Sequence, residues 1–130
     1  RRSRAIPIAP AKEDAVMMEA AFAEVSKALA EGELIGLFPE GKITADGELC
    51  PFRPGLARIL DVNPVPAVPM ALRGLWGSMF SRKDGPALSR PFRRGLFSRI
   101  ELVTGPALPP ETASLPQVQL QVAMLRGDWK

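Results

Sequence analysis

Two apolar periods divide the chain. Over residues 13–31, Met18, Phe22, Val25 and Leu29 recur at helical spacing, which places four apolar side chains on one face. Glu13 and Asp14 put negative charge in the first turn, where it suits the helix dipole, and Gly32 supplies a stop. The pattern predicts an amphipathic helix whose stripe is core packing. Before it, Ala5-Ile6-Pro7-Ile8-Ala9-Pro10 alternates as a short strand ending in proline. After it, Leu34-Ile35-Gly36-Leu37-Phe38 is a wholly apolar run that stops at Pro39, which reads as a strand buried on both faces. Strand, helix and strand in succession predict the right-handed crossover unit of a parallel sheet.

Further on, Ala45-Asp46-Gly47-Glu48 is a strong turn signal within a surface excursion over residues 43–49. Residues 54–62 predict a short helix that Pro54 can start and Asn63-Pro64 ends. Residues 66–72 predict a strand, and its two prolines argue for an edge position or a bulge because neither can donate to a ladder. A last strand over residues 100–104 is stopped by Gly105-Pro106. Ser114-Leu115-Pro116-Gln117 has the pattern of a capping box with proline in the first turn. It opens a helix striped by Leu115, Val118, Val122 and Leu125 and stopped at Gly127. The expected fold class is α/β, a mostly parallel sheet with flanking helices. With 130 residues, no internal repeat and no linker-like stretch, the expectation is a single domain over 1–130.

The chemistry-bearing stretch is Phe38-Pro39-Glu40-Gly41-Lys42. Side chains at the carboxyl end of a buried parallel strand project into a crevice, and the glycine lets backbone approach a ligand closely. An ordinary surface turn after a strand is the plain alternative.

Composition narrows the classes. An apolar share of 46% with 24% charged residues is that of a globular protein, and the 14 prolines sit at element boundaries, implying stiff connections. No run approaches the roughly 20 apolar residues of a membrane span, and nothing resembles a signal peptide. Cys50 is alone, so it forms no intrachain disulfide, which fits a reducing compartment. The sequence contains no histidine, which excludes Ser-His-Asp and Cys-His catalysis within these residues and removes the usual zinc ligands. No metal is expected, and Cys50 reads as an incidental thiol. Starting on Arg1 rather than methionine suggests a piece of a longer protein, and the arginines of residues 1–4 read as a solvated end.

Charge is unevenly spread. The chain is +3 overall, yet residues 73–99 hold seven basic residues (Arg73, Arg82, Lys83, Arg90, Arg93, Arg94, Arg99) against Asp84 alone, leaving the rest net acidic. Trp76, Met79, Phe80, Phe92 and Phe97 are interleaved with them. Arginine beside aromatics suits an anionic lipid interface, where rings enter the headgroup layer and guanidinium groups meet phosphates. A solvated loop whose aromatics close the core stands as the alternative. Nucleic acid ranks behind both, since no recognised binding motif accompanies the charge.

Phe38-Pro39-Glu40-Gly41 resembles the third motif of the glycerolphosphate and lysophospholipid acyltransferases, Phe-Pro-Glu-Gly-Thr-Arg-Ser. Pro51-Phe52-Arg53-Pro54-Gly55-Leu56-Ala57 follows where that family has Phe-Lys-x-Gly-Ala. Val65-Pro66-Ala67-Val68-Pro69-Met70 is similar to its fourth motif, a strand with two prolines. The matches span residues 34–72, and the arm beyond them resembles acyltransferase domains fused to bacterial lysophospholipid transporters. Residues 5–10 occupy the place of the second motif without its closing arginine.

The resemblance implies the C-terminal part of the glycerolphosphate acyltransferase fold. It also implies transfer of a fatty acyl group from an acyl-CoA or acyl-carrier protein thioester to a lysophospholipid or 1-acylglycerol-3-phosphate, in phospholipid synthesis or remodelling and with no further cofactor. The family's His-x-x-x-x-Asp motif lies upstream of Arg1, so no catalytic residue is expected in this chain, which is then inactive alone. Phe38, Pro39, Glu40, Gly41 and Lys42 become the acceptor-binding residues. Lys42-Ile43-Thr44 replaces Thr-Arg-Ser, leaving Lys42 as a point charge without arginine's fork, a departure that favours an acceptor such as lysophosphatidylethanolamine. Arg53, Arg73, Trp76, Arg93 and Arg94 are candidate contacts to phosphate or an anionic membrane surface. The implied location is the cytoplasmic face of the inner membrane for the full-length protein, with this piece soluble or peripheral and an exposed edge or apolar face favouring self-association. A non-catalytic lipid-binding or interaction module is the rival class.

Overall fold

The computed structural model describes residues 5–8, 13–76 and 99–128. Within them the chain forms three helices and one two-stranded sheet, an α/β arrangement, in the order α1 (Ala15–Ala30), α2 (Gly55–Val62), β1 (Met70–Arg73), β2 (Glu101–Thr104) and α3 (Leu115–Arg126).

The first helix begins at Ala15, two residues later than its pattern predicts. Asp14 is the N-cap, not a first-turn residue: its extended backbone frees the carboxylate to accept the Met17 N–H at 2.8 Å. At the other end Gly32 donates to Leu29 O and Glu33 N to Ala28 O, the paired bonds that close a helix on a glycine. The buried face is Ala21, Val25 and Ala28, while Met18, Phe22 and Leu29 of the predicted stripe are half-buried. Small residues reach the centre because α2 packs closely here, with Gly55 facing the Phe22 ring. Arg58 of α2 lies 4.1 Å from the centroid of that ring and grips Glu19 with two hydrogen bonds of 2.7 and 2.6 Å. Asn63 ends α2 and ties it to α1 through its Nδ2, which donates to Ser26 Oγ and Ile59 O.

The sheet departs from expectation in its sense. β1 and β2 run antiparallel, pairing Met70 with Thr104, Ala71 with Val103, Leu72 with Leu102 and Arg73 with Glu101. No parallel pair occurs among the described residues. The predicted crossover unit is incomplete because residues 34–38 lie in no strand: Leu34 is 99% and Phe38 80% exposed, instead of buried on both faces. An extended segment with no neighbouring strand leaves its N–H and C=O groups to water, so apolar character alone does not make it a strand. Residues 5–8 likewise form no strand.

The predicted strand over 66–72 is a ladder only from Met70 onward, since Pro66 and Pro69 have no N–H to give. The pairing still continues past them as an Ala67–Leu108 bridge, with Gly105 N donating to the Pro69 carbonyl at 2.9 Å and Pro69 itself fully buried. α3 packs on the sheet with Val118 buried and Leu115, Val122 and Leu125 half-buried, as their spacing predicts. Its capping box does not form. Ser114 makes no side-chain cap bond, and Pro116 at the start of the helix removes one of the N–H groups a cap would serve.

Candidate functional site

The loop from Phe38 to Arg53 is organised by backbone bonds that converge on one turn. Gly41 N donates to Phe38 O at 3.1 Å, closing the turn, and Gly41 sits at φ +65°, a conformation that strains any residue with a Cβ. Glu40 is half-buried and folds back under the loop, where its Oε2 accepts the Cys50 N–H at 2.7 Å. Arg53 N donates to Pro39 O at 2.7 Å. This bond brings the Arg53 side chain across Gly41: a methyl group there would lie 3.2 Å from Arg53 Cγ and 3.4 Å from Nε. The turn therefore carries two exposed cations, Lys42 and Arg53, neither with an ion-pair or side-chain hydrogen-bond partner among the described residues.

The far side of the same loop is held by its own side chains and by distant elements. Thr44 Oγ1 accepts from Gly47 N at 3.1 Å and Asp46 Oδ1 from Glu48 N at 2.9 Å, which builds the turn that the Asp46-Gly47 pair predicts. Gly47 is buried beneath the Trp76 ring at φ +83°, and a Cβ there would fall 2.7 Å from Trp76 Cδ2. From α3, Arg126 donates to the Gly47 carbonyl and stands 3.5 Å from the Glu48 carboxylate. Gln119 Oε1 accepts the Phe52 N–H at 3.1 Å, and Phe52 is buried.

The sequence-derived candidates thus fall into three groups. Phe38, Pro39, Glu40, Gly41, Lys42 and Arg53 form one turn, with Phe38 and Lys42 turned to solvent. Arg73 and Trp76 lie in structural contacts: the Arg73 guanidinium donates from Nε (2.8 Å) and Nη2 to Leu125 O near the end of α3, and Trp76 roofs Gly47. A cation on the last carbonyls of a helix complements its dipole. Arg93 and Arg94 lie outside the described residues.

Residues 1–73 match the family model described as Acyltransferase. The chain belongs to the acyltransferase family. The match runs from the first residue to the end of β1 and includes the whole turn, Arg53 and both predicted double-proline positions. This agrees with the resemblance to glycerolphosphate and lysophospholipid acyltransferases carried by Phe38-Pro39-Glu40-Gly41. No curated protein and no solved structure matches the chain. No helix among the described residues of this acyltransferase is long and apolar enough to cross a membrane.

Two contributors to the site escaped the sequence reading. Gln119 and Arg126 lie beyond the family match, and their partners are main-chain groups 67 and 79 residues away. The faint signal was Gln119 beside Val118, a polar residue at the margin of the buried stripe of α3.

Proposed function

We propose that this chain supplies the acceptor-binding half of an enzyme that moves a fatty acyl group from a coenzyme A or carrier-protein thioester to the hydroxyl of a lysophospholipid or 1-acylglycerol-3-phosphate. The observation that carries the reading is the turn at residues 38–42 with Arg53 laid across Gly41. It presents two uncompensated cations on a glycine-opened backbone in a member of the acyltransferase family. A phosphodiester or phosphate monoester is the natural counter-ion for such a pair, and Arg53 offers the planar fork that Ile43 does not.

In this reading Lys42 and Arg53 anchor the acceptor's phosphate, Gly41 leaves room for it, and Glu40 keeps the loop in place. Phe38 offers an apolar surface beside the headgroup. The acceptor hydroxyl attacks the thioester carbonyl, its proton passes to a general base, and the C–S bond breaks to release the thiol, which takes a proton in turn. An alcohol needs that base at neutral pH, and since the chain has no histidine, the reading assigns the histidine and its orienting aspartate to residues outside it. The same reading makes residues 34–38 a strand of a larger parallel sheet, in which Leu34 and Phe38 would each gain roughly 1.5–3 kcal/mol on burial. It also sets the basic segment over 73–99 toward an anionic membrane surface on the cytoplasmic side, with the charge excess as support.

The test is acyl transfer by the full-length protein. Arg53→Ala and Lys42→Ala each raise KM for the acceptor about tenfold, the value of one charge-assisted hydrogen bond, while KM for the thioester donor stays put. Failure of the wild-type protein to acylate any lysophospholipid or 1-acylglycerol-3-phosphate overturns the reading.

A further inference from the structure

Arg53 has no side-chain anchor of its own, so its place over Gly41 is decided by the backbone of residues 50–53. That backbone is pinned at three successive points. Cys50 N is held by Glu40, Phe52 N by Gln119, and Arg53 N by the Pro39 carbonyl. The first and third tether the segment to the turn itself, and a loop tied only to itself can move as a unit. The Gln119 bond is different in kind, because it fastens the segment to α3, which is packed on the sheet by Val118 and locked to β1 through Arg73 and Leu125 O. Phe52 is itself buried, so the residue whose amide Gln119 holds is not a freely moving one.

We propose that Gln119, in a helix beyond the acyltransferase family match, is a positioning residue for the acceptor site: its side-chain carbonyl sets where Phe52 N–H, and hence the Arg53 guanidinium, sits above Gly41. The inference rests on the acceptor reading of that turn. Gln119 touches no reacting atom, and its effect reaches the ligand through one main-chain hydrogen bond. An amide suits this task. It accepts the N–H without bringing a negative charge close to two cations that are meant for an anion. Methionine has nearly the same length and volume and no carbonyl, so it removes the bond while keeping the packing.

The experiment titrates glycerol 3-phosphate into the chain by calorimetry and follows amide hydrogen exchange of the same samples. Gln119→Met binds roughly three- to tenfold more weakly, the value of one hydrogen bond, and Phe52 N–H exchanges faster while the amides of α3 do not. Gln119→Glu, which restores an acceptor oxygen, recovers protection of Phe52 N–H. Gln117→Met, on the exposed side of the same helix, binds as the wild type does. Wild-type affinity in Gln119→Met overturns the inference, as does unprotected Phe52 in Gln119→Glu, or global unfolding of Gln119→Met, which would make the residue a fold determinant instead. If the wild-type chain binds no glycerol 3-phosphate, the acceptor reading falls and this inference with it, an outcome distinct from binding that ignores residue 119.

Discussion

Replacing Glu40 separates two roles that a carboxylate in this motif could fill. The structure gives it one task, accepting the Cys50 N–H at 2.7 Å in a part-buried setting. A charge-assisted bond of that length, broken so that the N–H is left half-shielded from water, costs about 2 kcal/mol. For a chain of 130 residues that lowers Tm by roughly 6–10 °C. Glu40→Ala shows this loss in a thermal melt, together with faster exchange of the Cys50 amide. Glu40→Gln keeps an oxygen within reach of Cys50, so it retains most of the stability and the protection. Binding of glycerol 3-phosphate should follow stability: weakened by alanine, nearly preserved by glutamine. If alanine leaves both Tm and Cys50 exchange unchanged, the clamp is refuted. If glutamine preserves Tm but abolishes binding, Glu40 touches the acceptor directly and the division of labour argued above is wrong.

Other perturbations test the surroundings. Gly47→Ala forces a Cβ to within 2.7 Å of Trp76 Cδ2 at a backbone φ of +83°, so it should destabilise the chain by about 2–4 kcal/mol in denaturant melts, whereas Gly36→Ala, open to solvent, should cost well under 1 kcal/mol. Glu19 is held below the ordinary carboxylate range, chiefly by its hydrogen bond from Arg58, against a smaller opposing effect of burial. A lowered carboxylate stabilises the fold above its unfolded value and loses that contribution as pH falls through the folded one. Glu19→Gln should therefore slightly flatten the acid limb of a stability-versus-pH curve, lowering stability at neutral pH by the same small amount and leaving it unchanged in acid, where Glu19 is already protonated; the amount is small because the pair is exposed. An unaltered acid limb would show that the pair does not couple to folding.

How much of this was legible depended on whether the governing interaction was local. α1, α2 and α3 follow from spacing and from stops at Gly32, Asn63 and Gly127, all read within a turn or two of chain. The Asp46-Gly47 turn follows from the Thr44 and Asp46 side chains bonding N–H groups two or three residues on. The run at 34–38 misled because an apolar pentapeptide describes a preference for burial, while a strand needs a neighbour, and none lies beside it among the described residues. Ser114-Leu115-Pro116-Gln117 located the start of α3 correctly, but the side-chain cap bond the same residues suggest does not form at Ser114. In the candidate site, the motif Phe38-Pro39-Glu40-Gly41 located the turn, yet the inward fold of Glu40 and the reach of Arg53 across Gly41 depend on backbone closure over a dozen residues. The contributions of Gln119 and Arg126 were beyond reach, since each serves a main-chain group with no sequence signature.

The account stands on an anionic acceptor being gripped where residues 38–42 meet Arg53. Heteronuclear NMR of the isotopically labelled chain, titrated with glycerol 3-phosphate at physiological salt, measures this directly. The expected result is saturable shifts of the Gly41 and Lys42 amides and of Arg53 Nε–H, with the Arg58–Glu19 pair unmoved. Shifts that avoid the turn, or none at all at millimolar ligand, would contradict it.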